Sequence, residues 1–208
     1  MEVTFLFVLG FVVAGIGVIP PGLLNMSAAK ISVTQGHNRS VIFSTGVCVV
    51  VLFQTLSAVL FSRYLSEHSE LISVLKLVAG VIFALLSIYY FFLIKPQQAE
   101  VESVLLQSKS SYFFNGMLMS SINLLPIPYQ AYMVLTFSSL DWFHFQPYEN
   151  GLYIAGATMG TFTILYIYIF FFDALKHLRI FSARNMNYII GFVSGAIALF
   201  TFYSSFMS

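Results

Sequence analysis

Two adjacent prolines interrupt the first apolar stretch of the chain, in Gly15–Asn25, which reads GIGVIPPGLLN. A second pair interrupts the fourth apolar stretch, in Ile122–Tyr129, which reads INLLPIPY. These stretches lie in the two longest runs without a charged residue, 3–29 and 110–140. Proline has no N–H group, so the carbonyl four residues earlier loses its helical partner and the helix kinks or breaks. The sequence therefore predicts two broken helices, each inside a long apolar segment.

The composition places these segments in a membrane. The chain has 208 residues, of which 59% are hydrophobic and only 8% are charged, whereas a soluble domain carries roughly 25% charged residues. Its single cysteine, Cys48, excludes a disulfide scaffold and a dithiol electron carrier. A net charge of +1 gives no field that would recruit nucleic acid. We therefore expect an all-α integral membrane protein.

Six uncharged runs each have room for one membrane-spanning helix of about 20 residues, provided that the third span starts near Leu71. These runs are 3–29, 40–62, 77–94, 110–140, 150–172 and 185–208. We expect one membrane domain over 1–208, with a three-helix repeat in 1–94, a cytoplasmic linker in 95–111 and a second three-helix repeat in 112–208. Because three is odd, the second repeat would be inverted, with the proline-broken helices first and fourth.

Lysine and arginine set the expected orientation. Loops 1–2, 3–4 and 5–6 carry seven of these residues, and the opposite side carries only Arg63 and Lys76. Cytoplasmic loops are enriched in Lys and Arg. The distribution therefore predicts that these three loops lie in the cytoplasm and that both termini lie outside.

The breaks also predict a substrate site, because interrupted helices at corresponding positions in two halves are typical of transporter binding sites. The N–H groups of the half-helices after Pro21 and Pro128 are expected to hold a carboxylate. Asn25 and Asn123 would supply amide groups beside one central cavity, and Gln54 is a polar residue near the middle of the second span. The residues predicted to bind substrate are Pro20, Pro21, Gly22, Asn25, Gln54, Asn123, Pro126, Pro128, Tyr129 and Gln130.

These motifs resemble those of the LysE-type amino-acid exporters. The resemblance rests on Pro20–Met26, on the glycine-and-basic turn Gly36–Arg39, on the small-residue second span from Gly46, and on Asn115–Gly116 followed by Ile122–Pro126. It covers essentially the whole chain and implies proton-driven export of amino acids or related metabolites from the bacterial cytoplasm. The plasma membrane is then the expected location.

The charge pattern narrows the expected substrate. No Asp or Glu stands in the middle of any of the six runs, although many members of that family carry an acidic residue in the second span. A cationic substrate would need a buried carboxylate, so we expect a neutral, apolar amino acid or a similar small zwitterion. Asp173, at the cytoplasmic end of the fifth span, is the candidate for a gate or proton site.

Two other classes of protein remain as alternatives, a membrane-embedded partner subunit and an intramembrane enzyme. All four histidines fall in predicted loops, and no catalytic nucleophile motif or metal-ligand spacing occurs in the sequence. We therefore expect no catalytic residue, metal or cofactor. The expected partners are a small molecule and the lipid bilayer. The small-residue patterns Gly156–Gly160 and Gly191–Gly195 are expected to let helices five and six pack closely within the chain, or to let a second copy of the chain pack on one of them. Trp142, Phe143 and Tyr148 are expected in an interfacial aromatic belt.

Overall fold

A computed structural model of the chain describes residues 2–20, 22–68 and 109–175, with isolated positions between 81 and 92 and between 192 and 199. Every regular element in these ranges is helical, which confirms the all-α class for the described residues. The helices are α1 (Glu2–Val18), α2 (Leu23–Gln35), α3 (His37–Glu67), α4 (Lys109–Ile122), α5 (Pro126–Ser139) and α6 (Pro147–Leu175).

Two of these helices are long and apolar enough to cross a membrane, namely α3 and the segment Pro147–Phe171 of α6. A third crossing is present if α1 and α2, which meet at an angle of 80°, form one broken span. The membrane class predicted from composition is thus supported by two to three helices. The predicted third and sixth spans lie almost entirely outside the described residues.

The chain folds into two compact units, as judged from which residues contact one another. The first contains residues 1–64 and 101–175, and the second contains residues 65–100 and 176–208. All six helices lie wholly or mainly in the first unit. In the second unit, Gly195 lies close to Ser87, since a Cβ atom built on the glycine would be 2.9 Å from the serine hydroxyl. Gly191, the first glycine of the second small-residue pattern, lies outside the described residues.

Helices α3 and α4 run parallel in close contact. The Arg39 guanidinium lies 5.8 Å from the centre of the Tyr112 ring, near the start of both helices. Further along, Gly46 of α3 lies against the backbone of α4, and Gly116 of α4 lies against the backbone of α3. A Cβ atom on Gly46 would overlap the Phe113 carbonyl oxygen. Such close backbone approach is possible only with small residues at the contact.

Helices α1 and α6 form a second parallel pair. Gly10 backs onto the Tyr153 carbonyl, and Gly156 and Gly160 back onto the carbonyls of Phe7 and Phe11. The small-residue pattern of α6 is therefore used inside the chain, as the sequence suggested, to bring α1 close.

Substituting the glycines tests this packing. Gly46→Ala would drive a methyl group into the backbone of α4, which cannot give way as a flexible side chain would. We expect the free energy of unfolding to fall by about 1–3 kcal/mol. The matched control is Gly151→Ala in α6, where a Cβ atom meets nothing within 4 Å. Because alanine favours the helix over glycine, this control should raise the free energy of unfolding by up to about 1 kcal/mol. Thermal unfolding of purified protein in detergent measures both, and equal stability of the two variants would contradict the close contact.

The loop between α5 and α6 is organised around the buried carboxylate of Glu149. This carboxylate accepts hydrogen bonds from the backbone N–H groups of His144 and Gln146, at 2.6 and 3.3 Å. The His144 ring lies between Glu149 and Asp141, with N···O distances of 3.2 and 3.1 Å. Hydrogen bonds to Glu149 and then Asp141 raise the pKa of His144 above its ordinary value.

The aromatic residues of the same loop separate into two groups. Trp142 and Tyr148 are 48% and 52% exposed, as an interfacial belt requires. Phe143 is only 1% exposed, so its predicted place in the belt is wrong. It packs against the rings of Phe145 and Tyr153 and thereby anchors the loop to α6.

The raised pKa of His144 predicts a pH-dependent loop stability. Protonated His144 stabilises the loop fully below its ordinary pKa of 6.5, and this contribution is lost as the pH rises through the raised value. The stability difference between wild type and His144→Gln should therefore shrink from acidic to alkaline pH. Thermal unfolding across this pH range measures the difference, and a gap that widens with rising pH would contradict the prediction.

Candidate substrate site at the helix breaks

The first break lies between Val18, where α1 ends, and Leu23, where α2 begins. The Asn25 side chain reaches back across it, and its Nδ2 donates hydrogen bonds to the carbonyl oxygens of Val18, at 2.5 Å, and Pro20, at 3.1 Å. Asn25 is only 3% exposed. An unpaired carbonyl costs several kcal/mol in a lipid environment, so the amide holds the break in a membrane-compatible form.

A tyrosine from the neighbouring long helix completes the first break. The Tyr168 hydroxyl of α6 donates to the Ile19 carbonyl at 2.7 Å. The proline motif of the first break does not predict a role for Tyr168. Tyr168 does follow Gly160 by eight residues, and this spacing puts both residues near the same face of α6. That shared face was the available signal.

The second break lies between Ile122, where α4 ends, and Pro126, where α5 begins. Here the amide comes from α3, since Gln54 Nε2 donates to the carbonyls of Ser120 and Asn123 at 3.0 and 2.9 Å. Gln54 is 6% exposed. Its Oε1 atom and the Ser120 hydroxyl are buried without a hydrogen-bond partner among the described residues. The break therefore presents buried oxygen atoms with unused hydrogen-bonding capacity.

Tyr129 joins the second half-helix to α1. Its hydroxyl donates to the Val13 carbonyl at 3.0 Å, and its ring lies against Gly17, where a Cβ atom would be 2.8 Å from the ring. The start of α5 thus contacts α1 just ahead of the first break. Tyr129, one of the residues predicted to bind substrate, therefore links the second break to the helix that leads into the first break.

The two breaks differ in the backbone amides that they offer. Prolines at 126 and 128 have no N–H, and the N–H groups of Ile127 and Tyr129 are bonded to Leu124 and Leu125. The expectation of an anion site after Pro128 is therefore wrong. At the first break, no hydrogen bond between described residues uses the N–H groups of Leu23 or Leu24.

The remaining predicted residues are distributed around the breaks. The Gln130 side chain is buried and accepts a hydrogen bond from the Tyr153 hydroxyl at 2.5 Å. Pro20, Gly22 and Pro128 are exposed, and Asn123 and Pro126 are half-buried. Pro21 lies outside the described residues, as does the side chain of Asp173, whose backbone belongs to α6. No group of three His, Cys, Asp or Glu in the described part of the chain could hold a metal ion.

In its described residues the chain is a helical protein with two to three segments long and apolar enough to cross a membrane, and with two helix breaks capped by side chains. No protein-family model, curated protein or solved structure matches the chain.

Replacing Gln54 tests its role at the second break. In Gln54→Leu, the Ser120 and Asn123 carbonyls lose the amide, and we expect a loss of about 1–3 kcal/mol in the free energy of unfolding. The control is Ser57→Ala on the exposed face of α3, where the hydroxyl donates a hydrogen bond to the Phe53 carbonyl of its own helix. This control should unfold at the wild-type temperature in detergent. An unchanged unfolding temperature for Gln54→Leu would show that the second break does not depend on this amide.

Proposed function

We propose that the chain is a secondary transporter that exports a small zwitterion, a neutral amino acid, from the cytoplasm across the bacterial plasma membrane, like the LysE-type exporters that it resembles. The observation that carries the proposal is the pair of helix breaks, each capped by a buried polar side chain, Asn25 or Gln54. Backbone that leaves the helical pattern at membrane depth is tolerated where it lies in protein or lines a cavity, which is how transporters build their substrate sites.

Matched glycine contacts support an inverted repeat. Gly10 precedes Pro20 by ten residues, and Gly116 precedes Pro126 by the same interval. Each glycine packs on a long helix in the same register. A Cβ atom on Gly10 would meet the carbonyl three residues before Gly156, and a Cβ atom on Gly116 would meet the carbonyl three residues before Gly46. The broken helix of each half thus rests on the long helix of the other half. Two related halves with exchanged contacts would have this arrangement.

The parallel pairs support six spans. Since α3 and α4 run in the same direction, the chain between Glu67 and Lys109 has to return across the membrane for both to be embedded. The uncharged run 77–94 with the residues before it is long enough for that crossing. In a six-span chain the first and fifth spans are also parallel, which agrees with the pairing of α1 and α6. The excess of Lys and Arg then puts both termini outside.

The chemistry of the breaks fits a neutral zwitterion. The N–H groups of Leu23 and Leu24 stand at the positive end of a half-helix and suit a carboxylate. Gln54 Oε1 and the Ser120 hydroxyl are acceptors that suit an ammonium group. A second positive charge would need a carboxylate at this depth, and neither of the two proline-broken runs, 3–29 and 110–140, contains an Asp or Glu. We propose Asp173 as a gate or proton site.

Substitution of the two asparagines separates transport from folding. No hydrogen bond among the described residues uses the Asn123 side chain, so Asn123→Leu should fold normally and reduce leucine export about tenfold through lost substrate contacts. Asn25→Leu should lower both export and stability, because Asn25 caps the first break. The measurement is efflux of labelled leucine from preloaded cells, with unfolding temperatures for each purified variant.

Asn38→Leu serves as the matched control, because Asn38 is an exposed residue at the start of α3 and lies away from both breaks. It should export at the wild-type rate. Full export by Asn123→Leu would contradict a substrate site at the second break.

A further inference from the structure

The loop between α5 and α6 connects the two helices through a histidine that has a carboxylate on each side. Asp141 follows the last turn of α5, where its N–H donates to the Ser138 carbonyl at 3.1 Å. Glu149 belongs to the first turn of α6 and is buried. His144 contacts Asp141 through Nε2 and Glu149 through Nδ1. One imidazole ring therefore bridges the end of one helix and the start of the next.

This bridge requires a proton on the histidine. Both ring nitrogens face carboxylate oxygens, at 3.1 and 3.2 Å, and an ionised carboxylate only accepts hydrogen bonds. A neutral imidazole has one N–H group, so its other nitrogen would point a lone pair at an oxygen atom, whereas the imidazolium ion donates to both. The side chain of His144 is 51% exposed, so protons from water can reach it.

The two carboxylates are the charged groups that act on this ring among the described residues. Hydrogen bonds to Glu149 and then Asp141 raise the pKa of His144, and the Tyr148 hydroxyl donates to the same Glu149 carboxylate at 3.4 Å. The helix α5 contains no charged residue. Toward its C-terminus, α3 carries four titratable residues that are not among the groups shifting the pKa of the histidine, namely Arg63, Tyr64, Glu67 and His68.

The bridge lies beside contacts that lead to the helix breaks. Phe143, next to His144, packs against the Tyr153 ring of α6 with 5.7 Å between ring centres. The Tyr153 hydroxyl donates to Gln130 of α5 at 2.5 Å, and the neighbouring Tyr129 contacts α1 ahead of the first break. Opening of the loop would therefore loosen α5 from α6 close to the point where α5 approaches the breaks. Such a continuous set of contacts can carry a change in the loop to the proposed substrate site.

We propose that Asp141, His144 and Glu149 form a pH-sensitive clasp on the outer face of the transporter, an inference that rests on the topology and function proposed above. Protonated His144 closes the clasp, holds α5 against α6 and slows exchange of substrate with the outside. When the proton is lost, one ring nitrogen faces a carboxylate without a hydrogen atom, and the clasp opens. Because the pKa of His144 is raised, the closed state is fully favoured below the ordinary value of 6.5 and is lost as the pH rises through the raised value.

Spin-label distances test the clasp without any transport measurement. Labels are attached at Ser139→Cys and Gly151→Cys, exposed positions at the ends of α5 and α6, in a Cys48→Ser background. In purified full-length protein, the distance should lengthen from about pH 5 to about pH 9, which brackets the titration of histidine. His144→Gln should give the longer distance at every pH, because the neutral amide brings no charge to the two carboxylates.

The matched control is His68→Gln, which removes another histidine, at the end of α3, and should keep the wild-type pH dependence. A distance that does not change with pH, or that changes equally in His144→Gln, would overturn the clasp.

Two variants test the carboxylates one at a time. Asp141 has a φ of 60°, which asparagine tolerates, so Asp141→Asn should fold and move the midpoint of the distance change to lower pH. Glu149→Gln removes the larger of the two interactions with the ring and should move the midpoint further. A wild-type midpoint in Asp141→Asn and in Glu149→Gln would show that the carboxylates do not hold the proton, and the clasp would be wrong.

Leucine exchange in proteoliposomes, with the same pH on both sides, connects the clasp to transport. Wild-type exchange should be slow in acid and rise through the midpoint found with the spin labels, whereas His144→Gln should exchange at the alkaline rate throughout. An exchange profile that His144→Gln leaves unchanged would overturn the role of the clasp in transport. A distance change that depends on His144, in a protein that exchanges no leucine, would support the clasp and overturn the exporter.

Discussion

The need to pair every backbone carbonyl at membrane depth determines the rest of the structure. Four prolines remove helical hydrogen bonds inside two apolar segments, and in a lipid environment water would not replace them. Asn25 and Tyr168 satisfy the carbonyls of the first break, and Gln54 satisfies those of the second. Two of these three side chains come from a long helix rather than from the broken one. Each long helix is therefore tied to a particular break.

Close glycine packing makes those ties possible. The Gly46 contact brings the backbone of α3 onto α4, and the Gly156 contact brings α6 onto α1. At that separation, an amide or phenol a few turns further along the long helix reaches the carbonyls of the break. In a transporter, the same side chains would connect movement of a long helix to the shape of the substrate site. They donate hydrogen bonds to backbone carbonyl oxygens, two from Gln54 and one from Tyr168, and a substrate ammonium group can replace such donors.

The sequence was sufficient to predict both breaks, the membrane class and the internal use of Gly156 and Gly160, because proline chemistry and small-residue spacing are local properties. Asn25 was also predictable as a residue of the first break, although its hydrogen bonds show a structural role beside the proposed one. The lack of free amides after Pro128 follows from two prolines in one helical turn, and the sequence contained that information.

The role of Gln54 could not be predicted, because it caps a break 66 to 69 residues away, and that pairing depends on how α3 packs on α4. The burial of Phe143 depends on the fold of its loop against α6. In each case the missing information was the partner helix and not the residue itself.

Counterflow in proteoliposomes tests the central claim, that this chain carries a neutral zwitterion, without any assumption about the coupling ion. Vesicles with the purified protein are loaded with unlabelled leucine and diluted into labelled leucine. The account predicts a transient accumulation of label inside, which excess external leucine abolishes and external lysine leaves intact. Accumulation no greater than in protein-free vesicles, or equal inhibition by lysine, would contradict it.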